Sequence, residues 1–116
     1  MRKPVAPPTA PPGLARFVRE RLDAAGAEPP TLEDLARELD VHPSQVVRAF
    51  HRAYGLPPHR YLTSRRVDLA RSLLVEGHRP EAVAAQAGFH DQAHLTRHFR
   101  RVLGTIPARF ARGGPA

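Results

Sequence analysis

Residues 43–61 read P-S-Q-V-V-R-A-F-H-R-A-Y-G-L-P-P-H-R-Y, and residues 92–110 read Q-A-H-L-T-R-H-F-R-R-V-L-G-T-I-P-A-R-F. At an offset of 49 these are one pattern written twice: Arg48 meets Arg97, Phe50 meets Phe99, Arg52 meets Arg101, Gly55 meets Gly104, Pro58 meets Pro107 and Arg60 meets Arg109. The apolar positions follow, with Val46 on Leu95, Ala53 on Val102 and Tyr61 on Phe110. Upstream the match continues at an offset of 48, placing Glu33 on Glu81, Leu35 on Val83 and Ala36 on Ala84. An internal repeat implies one supersecondary unit used twice, side by side.

The text around the repeat is helical. Leu14, Phe17, Val18, Leu22 and Ala25 recur at helical spacing, with Gly26 as the expected stop. Thr31 is placed to cap a second helix, with Asp34 three residues on to complete a capping box. Asp40 tolerates the left-handed backbone of a tight turn. Pro43 then restarts a helix that Gly55 ends. Pro57-Pro58 opens a long amphipathic helix running to about Gly77, and Pro80 opens the next. Gly88 supplies a turn, Asp91 caps a helix reaching Gly104, and residues 107–112 form one more short turn. No stretch alternates as a strand would. The expected fold is all-α, about seven helices, with two helix-turn-helix units (about 31–55 and 80–104) joined by a linker helix (about 58–76). Residues 1–12 carry Pro4, Pro7, Pro8, Pro11 and Pro12 and read as a disordered linker ahead of a domain over 13–112.

Charge narrows the function. The chain of 116 residues carries a net charge of +7, and Lys3 is the single lysine among its 18 basic residues. Residues 44–71 hold six arginines against Asp68, and residues 91–112 hold five against Asp91. Planar guanidinium forks suit phosphate and guanine edges better than ammonium groups do, so the composition points to a polyanionic partner. There is no cysteine, hence no disulfide or thiolate site, and no apolar run approaches the roughly 20 residues that cross a bilayer. A reducing, cytoplasmic setting with no membrane partner is expected. Ser44, Ser64 and Ser72 are the three serines, and neither a nucleophile elbow nor a phosphate-cradling glycine loop is present, which argues against an enzyme.

The stretch from Gly88 through Arg101, G-F-H-D-Q-A-H-L-T-R-H-F-R-R, followed by Gly104 and Pro107, resembles the signature of the AraC/XylS family. So does L-A-R-E-L at 35–39 followed by Arg48-Ala49-Phe50 and Gly55. The resemblance spans residues 14–112. It implies a bacterial transcription regulator whose two helix-turn-helix units bind double-stranded DNA, with no cofactor. It also implies a separate N-terminal effector-binding or dimerisation domain in the parent protein. Departures from the pattern are local. His42 stands where a serine usually caps the first recognition helix, so that cap is expected to be weak. Arg79 and Pro80, Leu95 and Ile106 also differ from the usual residues.

Helical geometry sorts the reading faces independently. With Leu95, Phe99 and Val102 turned to the core at about 100° per residue, Ala93, Thr96, Arg97, Arg100 and Arg101 face or flank the outside. The same construction on Val46, Phe50 and Ala53 turns Ser44, Val47, Arg48, His51 and Arg52 outward. Recognition helices meet base edges with their N-terminal part and phosphates further along. Arg48 and Arg97 are therefore the expected guanine readers, with Ser44, Val47 and Ala93 as further base contacts, and the family resemblance adds Gln92, which points partly sideways, and supports Thr96. His51, Arg52, Arg100 and Arg101 are the expected phosphate contacts. An exposed Val47 suits a thymine methyl better than water. The family resemblance implies that Arg65 braces the fold, and Phe50, Phe89, Phe99 and Leu69 are expected to fill the core.

Two rival readings have residues behind them. His90, His94 and His98 fall at i, i+4 and i+8 beside Asp91, a spacing at which two imidazoles can share a metal. Against this, His90 precedes the helix and no glutamate base lies between the pair. The acidic face around Glu33, Asp34 and Glu38 could meet a protein partner such as RNA polymerase, as part of a helical interaction module. Acids at a helix N-terminus account for the same residues through the helix dipole alone.

Overall fold

Four helices of the chain begin on a proline, where the missing backbone N–H would have had no partner in any case. The computed structural model describes residues 11–26 and 28–111, so the Pro-rich segment over 1–10 and Arg112 lie outside the described residues. Within them the order is α1 (Leu14–Asp23), α2 (Leu32–Leu39), α3 (Pro43–Tyr54), α4 (Pro58–Val75), α5 (Pro80–Gln86), α6 (Gln92–Leu103) and α7 (Pro107–Ala111). Every described element is helical, in agreement with the periodicity.

The caps agree with the sequence in most places. Thr31 accepts from the Asp34 N–H at 3.0 Å while the Asp34 carboxylate accepts from the Thr31 N–H at 3.2 Å, closing the capping box of α2. These bonds, and Arg37 beside them, hold the Asp34 carboxyl below its ordinary pKa. Asp40 ends α2 in the left-handed region at φ 55°. Asp91 accepts from the His94 N–H at 2.8 Å at the start of α6. One expectation fails at α3. His42 caps it fully: its Nδ1 accepts from the Ser44 N–H at 3.1 Å, and the Gln45 side chain accepts from the His42 N–H at 3.0 Å. An imidazole nitrogen replaces the hydroxyl oxygen as acceptor, and a capping box results without serine. At α1 the helix stops at Asp23, ahead of the expected Gly26.

Two apolar cores form, and they share α4. Leu14, Val18, Leu22, Leu35, Ala36, Val46 and Phe50 make the first, with Tyr61 and Leu62 from the start of α4 packed against it. Val67, Ala70, Leu74, Val83, Ala84, Ala87, Phe89, Leu95 and Phe99 make the second, with Phe110 packed against it. The 18 residues of α4 run for about 27 Å, so one lobe sits on each end of it.

The sequence repeat is a structural repeat in detail. Tyr61 meets Phe50 edge-on, with ring centroids 5.4 Å apart and planes at 67°. Phe110 meets Phe99 in the same manner, at 5.4 Å and 71°. Each recognition helix ends with a glycine N–H donating to a carbonyl four residues back, Gly55 to His51 at 2.7 Å and Gly104 to Arg100 at 2.8 Å.

Three side chains expected in the core lie outside it. Val102 is 42% exposed and Leu69 47% exposed, and Ala53 is exposed as well. Ala53 and Val102 occupy matching places in the last turn of α3 and α6. Leu69 lies on α4 at the gap between the lobes, where neither core reaches it.

Candidate nucleic-acid interface

In each lobe the first helix of the unit (α2 or α5) packs inward, and the tight turn after it throws the second helix (α3 or α6) across the front. Phe50 and Phe99, both fully buried, pin the inner faces of these second helices. What remains outside is the row of residues that the sequence marks for DNA.

On α6, Gln92, Ala93, Thr96, Arg97 and Arg100 line one shallow concavity of about 520 Å³. Five expected DNA contacts thus share one surface with no acidic side chain among its walls. Arg101 points elsewhere. It lines a second depression of about 510 Å³ with Leu56, His59, Arg60, Thr63, Ser64, His98 and Val102, between α6 and the start of α4. His59 and Arg60 were not marked by the sequence reading of the recognition helices. The signal for them was the basic pair directly after Pro57-Pro58, with Arg60 matched to Arg109 in the repeat.

On α3, Arg48, His51 and Arg52 are exposed. Ser44 is half-buried, and its hydroxyl lies 2.9 Å from His42 Nδ1, so it belongs partly to the cap. Val47 is half-buried and not fully exposed as expected. It helps to wall a small apolar cavity of about 140 Å³ with Leu22, Pro30, Leu32, Leu35, Pro58, His59 and Leu62. Burial of part of its side chain there accounts for an apolar residue at this position without a thymine methyl.

Four arginines are taken up in ion pairs. Arg21 is paired with Glu38, Arg37 with Asp34 at 3.2 Å, Arg65 with Asp23 at 3.3 Å, and Arg71 with Asp68 at 3.6 Å. Among the described residues no such pair involves Arg48, Arg52, Arg97, Arg100 or Arg101. The arginines of α3 and α6 are thus without an acidic partner, as are Arg16, Arg19, Arg60, Arg66, Arg79 and Arg109 elsewhere among the described residues. Glu38 and Asp34 are taken up in this way within the first lobe, which leaves Glu33 as the one of the three acids without an ion pair.

The histidines of α6 are packed against one another and against Phe89. His94 and His98 lie 4.6 Å apart edge-on, and Phe89 stacks on His98 at 6.0 Å. His94 Nδ1 accepts from the His90 N–H at 3.1 Å. Burial, followed by the charges of His94, Arg101 and Arg97, pushes the His98 imidazole below its ordinary pKa. Among the described residues no group of three or more His, Asp or Glu side chains has the arrangement to hold a metal ion.

A profile of the helix-turn-helix domain matches residues 35–113. The chain is 33% identical over 107 residues to the HTH-type transcriptional regulator RipA of Corynebacterium glutamicum, a match covering 92% of this chain and 32% of RipA. It is 37% identical over 68 residues to the probable transcriptional regulator LumQ of Photobacterium leiognathi, covering 58% of this chain and 27% of LumQ. The chain thus spans only a minor part of the length of these curated relatives. Its fold matches the C-terminal domain of AraT, a response regulator from Geobacillus stearothermophilus, with a TM-score of 0.78 at 25% identity, covering 89% of this chain and 86% of that one. It also matches the DNA-binding domain of AdpA, a global transcriptional factor solved in complex with a target DNA, with a TM-score of 0.73 at 31% identity over 85% of this chain and 89% of that one.

Proposed function

Since the chain belongs to the AraC family of helix-turn-helix transcription regulators, we propose that it sets α3 and α6 into successive major grooves on one face of double-stranded DNA. Arg48 and Arg97 read guanine edges in the two half-sites, and Gln92, Ala93, Thr96 and Ser44 add base contacts. Val47 contributes through the part of its side chain left outside the cavity. His51, Arg52, Arg100 and Arg101 hold phosphates and set the register. Val47 and Thr96 occupy one place in the repeat with different chemistry, so the two halves of the site differ and one chain reads an asymmetric sequence.

The observation that carries this reading is the α6 concavity, which Gln92, Ala93, Thr96, Arg97 and Arg100 line without an acidic side chain. A purely solubilising surface gives no reason to gather exposed arginines with small and polar side chains in one acid-free concavity. A surface that exchanges counterions for phosphates does.

The DNA-binding unit is assigned to residues 13–112, and residues 1–12 to a linker from an effector-binding or dimerisation domain in a longer parent. The minor share of RipA and LumQ that the chain spans supports this. No described helix is long and apolar enough to cross a membrane, and DNA binding would place the protein on the nucleoid in the cytoplasm. No catalytic step is assigned to it.

Selection of bound sequences from random duplex DNA at two salt concentrations tests the reading. The expected product is two dissimilar half-sites about 10 bp apart, bound more weakly at higher salt. Inserting five base pairs between them turns one half-site to the far side of the helix and should abolish binding. Unchanged affinity after that insertion removes the two-groove arrangement.

A further inference from the structure

Arg66 is the side chain that touches both lobes. It lies on α4, half-buried, one residue after the arginine that the sequence marked as a brace. Arg65 itself is exposed and stays with the first lobe, pairing with Asp23, which also accepts from the Tyr61 hydroxyl at 2.6 Å. Arg66 turns about 100° further round the helix and enters the cleft between the lobes. There its Nη2 donates to the Gly26 carbonyl, just after α1, at 3.4 Å.

On the other side its guanidinium lies flat against Gly88, in the turn between α5 and α6. A Cβ at Gly88 would stand 2.8 Å from Arg66 Nε and 3.0 Å from Cζ. Gly88 also holds φ 89°, which favours glycine, and a Cβ there would in addition push the Arg66 guanidinium out of its place. The matching turn residue of the first unit, at the offset of 48, is Asp40, which holds φ 55° and has no arginine beneath it. The repeat is asymmetric at this turn because one of its two turns carries the Arg66 side chain.

The surroundings suit a clamp rather than a surface charge. Leu22, Leu62, Leu69 and Ala87 wall the cleft with Arg65 and Asp23, in a space of about 230 Å³. Burial draws the guanidinium below the usual arginine range, and among the described residues no carboxylate pairs with it. A half-buried guanidinium that bonds a carbonyl of one lobe and packs on a turn of the other loses a contact when either lobe moves.

We propose that Arg66 is a positioning residue that fixes the angle between the two helix-turn-helix lobes, and thereby the half-site spacing that the protein accepts. Among the described helices, α4 is the one that packs extensively on both lobes, so a rotation about that helix would leave each core intact while moving α6 relative to α3. The proposal rests on the two-groove reading above for its consequence on DNA, though the clamp itself is a property of the free protein.

The chain contains no cysteine, so Ala53→Cys and Val102→Cys introduce a unique pair of spin labels at the exposed, equivalent ends of α3 and α6. Pulsed dipolar spectroscopy on the free protein should give a narrow distance distribution, which broadens in Arg66→Met, where the stem remains and the fork is gone. Equal widths would overturn the clamp. Without the labels, binding is then measured on duplexes whose half-sites are moved one base pair closer or further apart. The unsubstituted chain is expected to reject them by roughly tenfold or more, and Arg66→Met by less than about threefold. A spacing profile unchanged in Arg66→Met would overturn the effect on spacing even where the distribution broadens. Loss of all sequence preference in the unsubstituted chain would instead condemn the DNA reading, leaving the distance result to stand by itself. Should Arg66→Met fail to fold, Arg66→Lys keeps charge and stem while losing the planar fork, and an unbroadened distribution in that variant refutes the proposal equally.

Discussion

Arg97→Ala isolates base reading from electrostatic attraction, because the structure gives this side chain nothing else to do. Arg97 is exposed, has no ion pair among the described residues, and stands in the acid-free concavity of α6. Its removal should leave thermal stability unchanged, since exposed positions without partners contribute within about 0.5 kcal/mol. A bidentate arginine–guanine pair is worth about 1–3 kcal/mol of discrimination, or roughly 5- to 150-fold in affinity at the cognate base pair. Fluorescence anisotropy on the selected site and its three alternatives at that position measures this. The unsubstituted chain should prefer one base pair, and the variant should bind all four within a few-fold of one another. The salt dependence supplies the refuting result. A residue that holds a phosphate lowers the slope of log affinity against log salt by about 0.9 when removed. A uniform loss over all four duplexes together with such a drop in slope would reassign Arg97 to the phosphate group, beside Arg100 and Arg101.

Asp91→Ala removes the hydrogen bond that opens α6 and should cost about 1 kcal/mol, seen as a fall of roughly 4–8 °C in Tm; no shift would mean that water caps the helix equally well. Phe99→Ala empties the second core at a cost of about 3–5 kcal/mol. Because the first core is built from other residues, hydrogen exchange should accelerate in α5 and α6 well before α1 to α3, and equal acceleration throughout would contradict two separate cores. Folding keeps the His98 imidazole below its ordinary 6.5, so the unfolded chain takes up the proton first as pH falls. The stability this imidazole contributes is therefore complete above that value and lost progressively below it. His98→Gln should shallow the fall in Tm between about pH 7 and 5, and an identical fall in both proteins would show that other groups control it.

Much of the fold was legible because its punctuation is covalent. Proline at the first position of α3, α4, α5 and α7 marks helix starts, and Gly55, Gly88 and Gly104 mark ends and turns wherever the chain lies. The aromatic pairs Phe50–Tyr61 and Phe99–Phe110 repeat in space because they repeat in sequence. What stayed hidden depends on where a neighbouring element stops. Periodicity turns Ala53 and Val102 toward the core, but it carries no information on how far the core extends along the last turn of each helix. It gives α4 one apolar face, although the helix serves two lobes with a gap at Leu69. Arg65 and Arg66 are adjacent in sequence, and only the placement of Gly26 and Gly88 distinguishes which of them enters the cleft. His42 was undervalued as a cap because acceptor geometry, and not residue type, decides whether a backbone N–H is satisfied.

Two cores on one helix also govern how such a protein can change over generations. A substitution that refits α6 to a new half-site disturbs packing around Phe99 and leaves the residues around Phe50 untouched. Each half of the recognised sequence can therefore drift on its own, with the other half holding the protein on its DNA in the meantime.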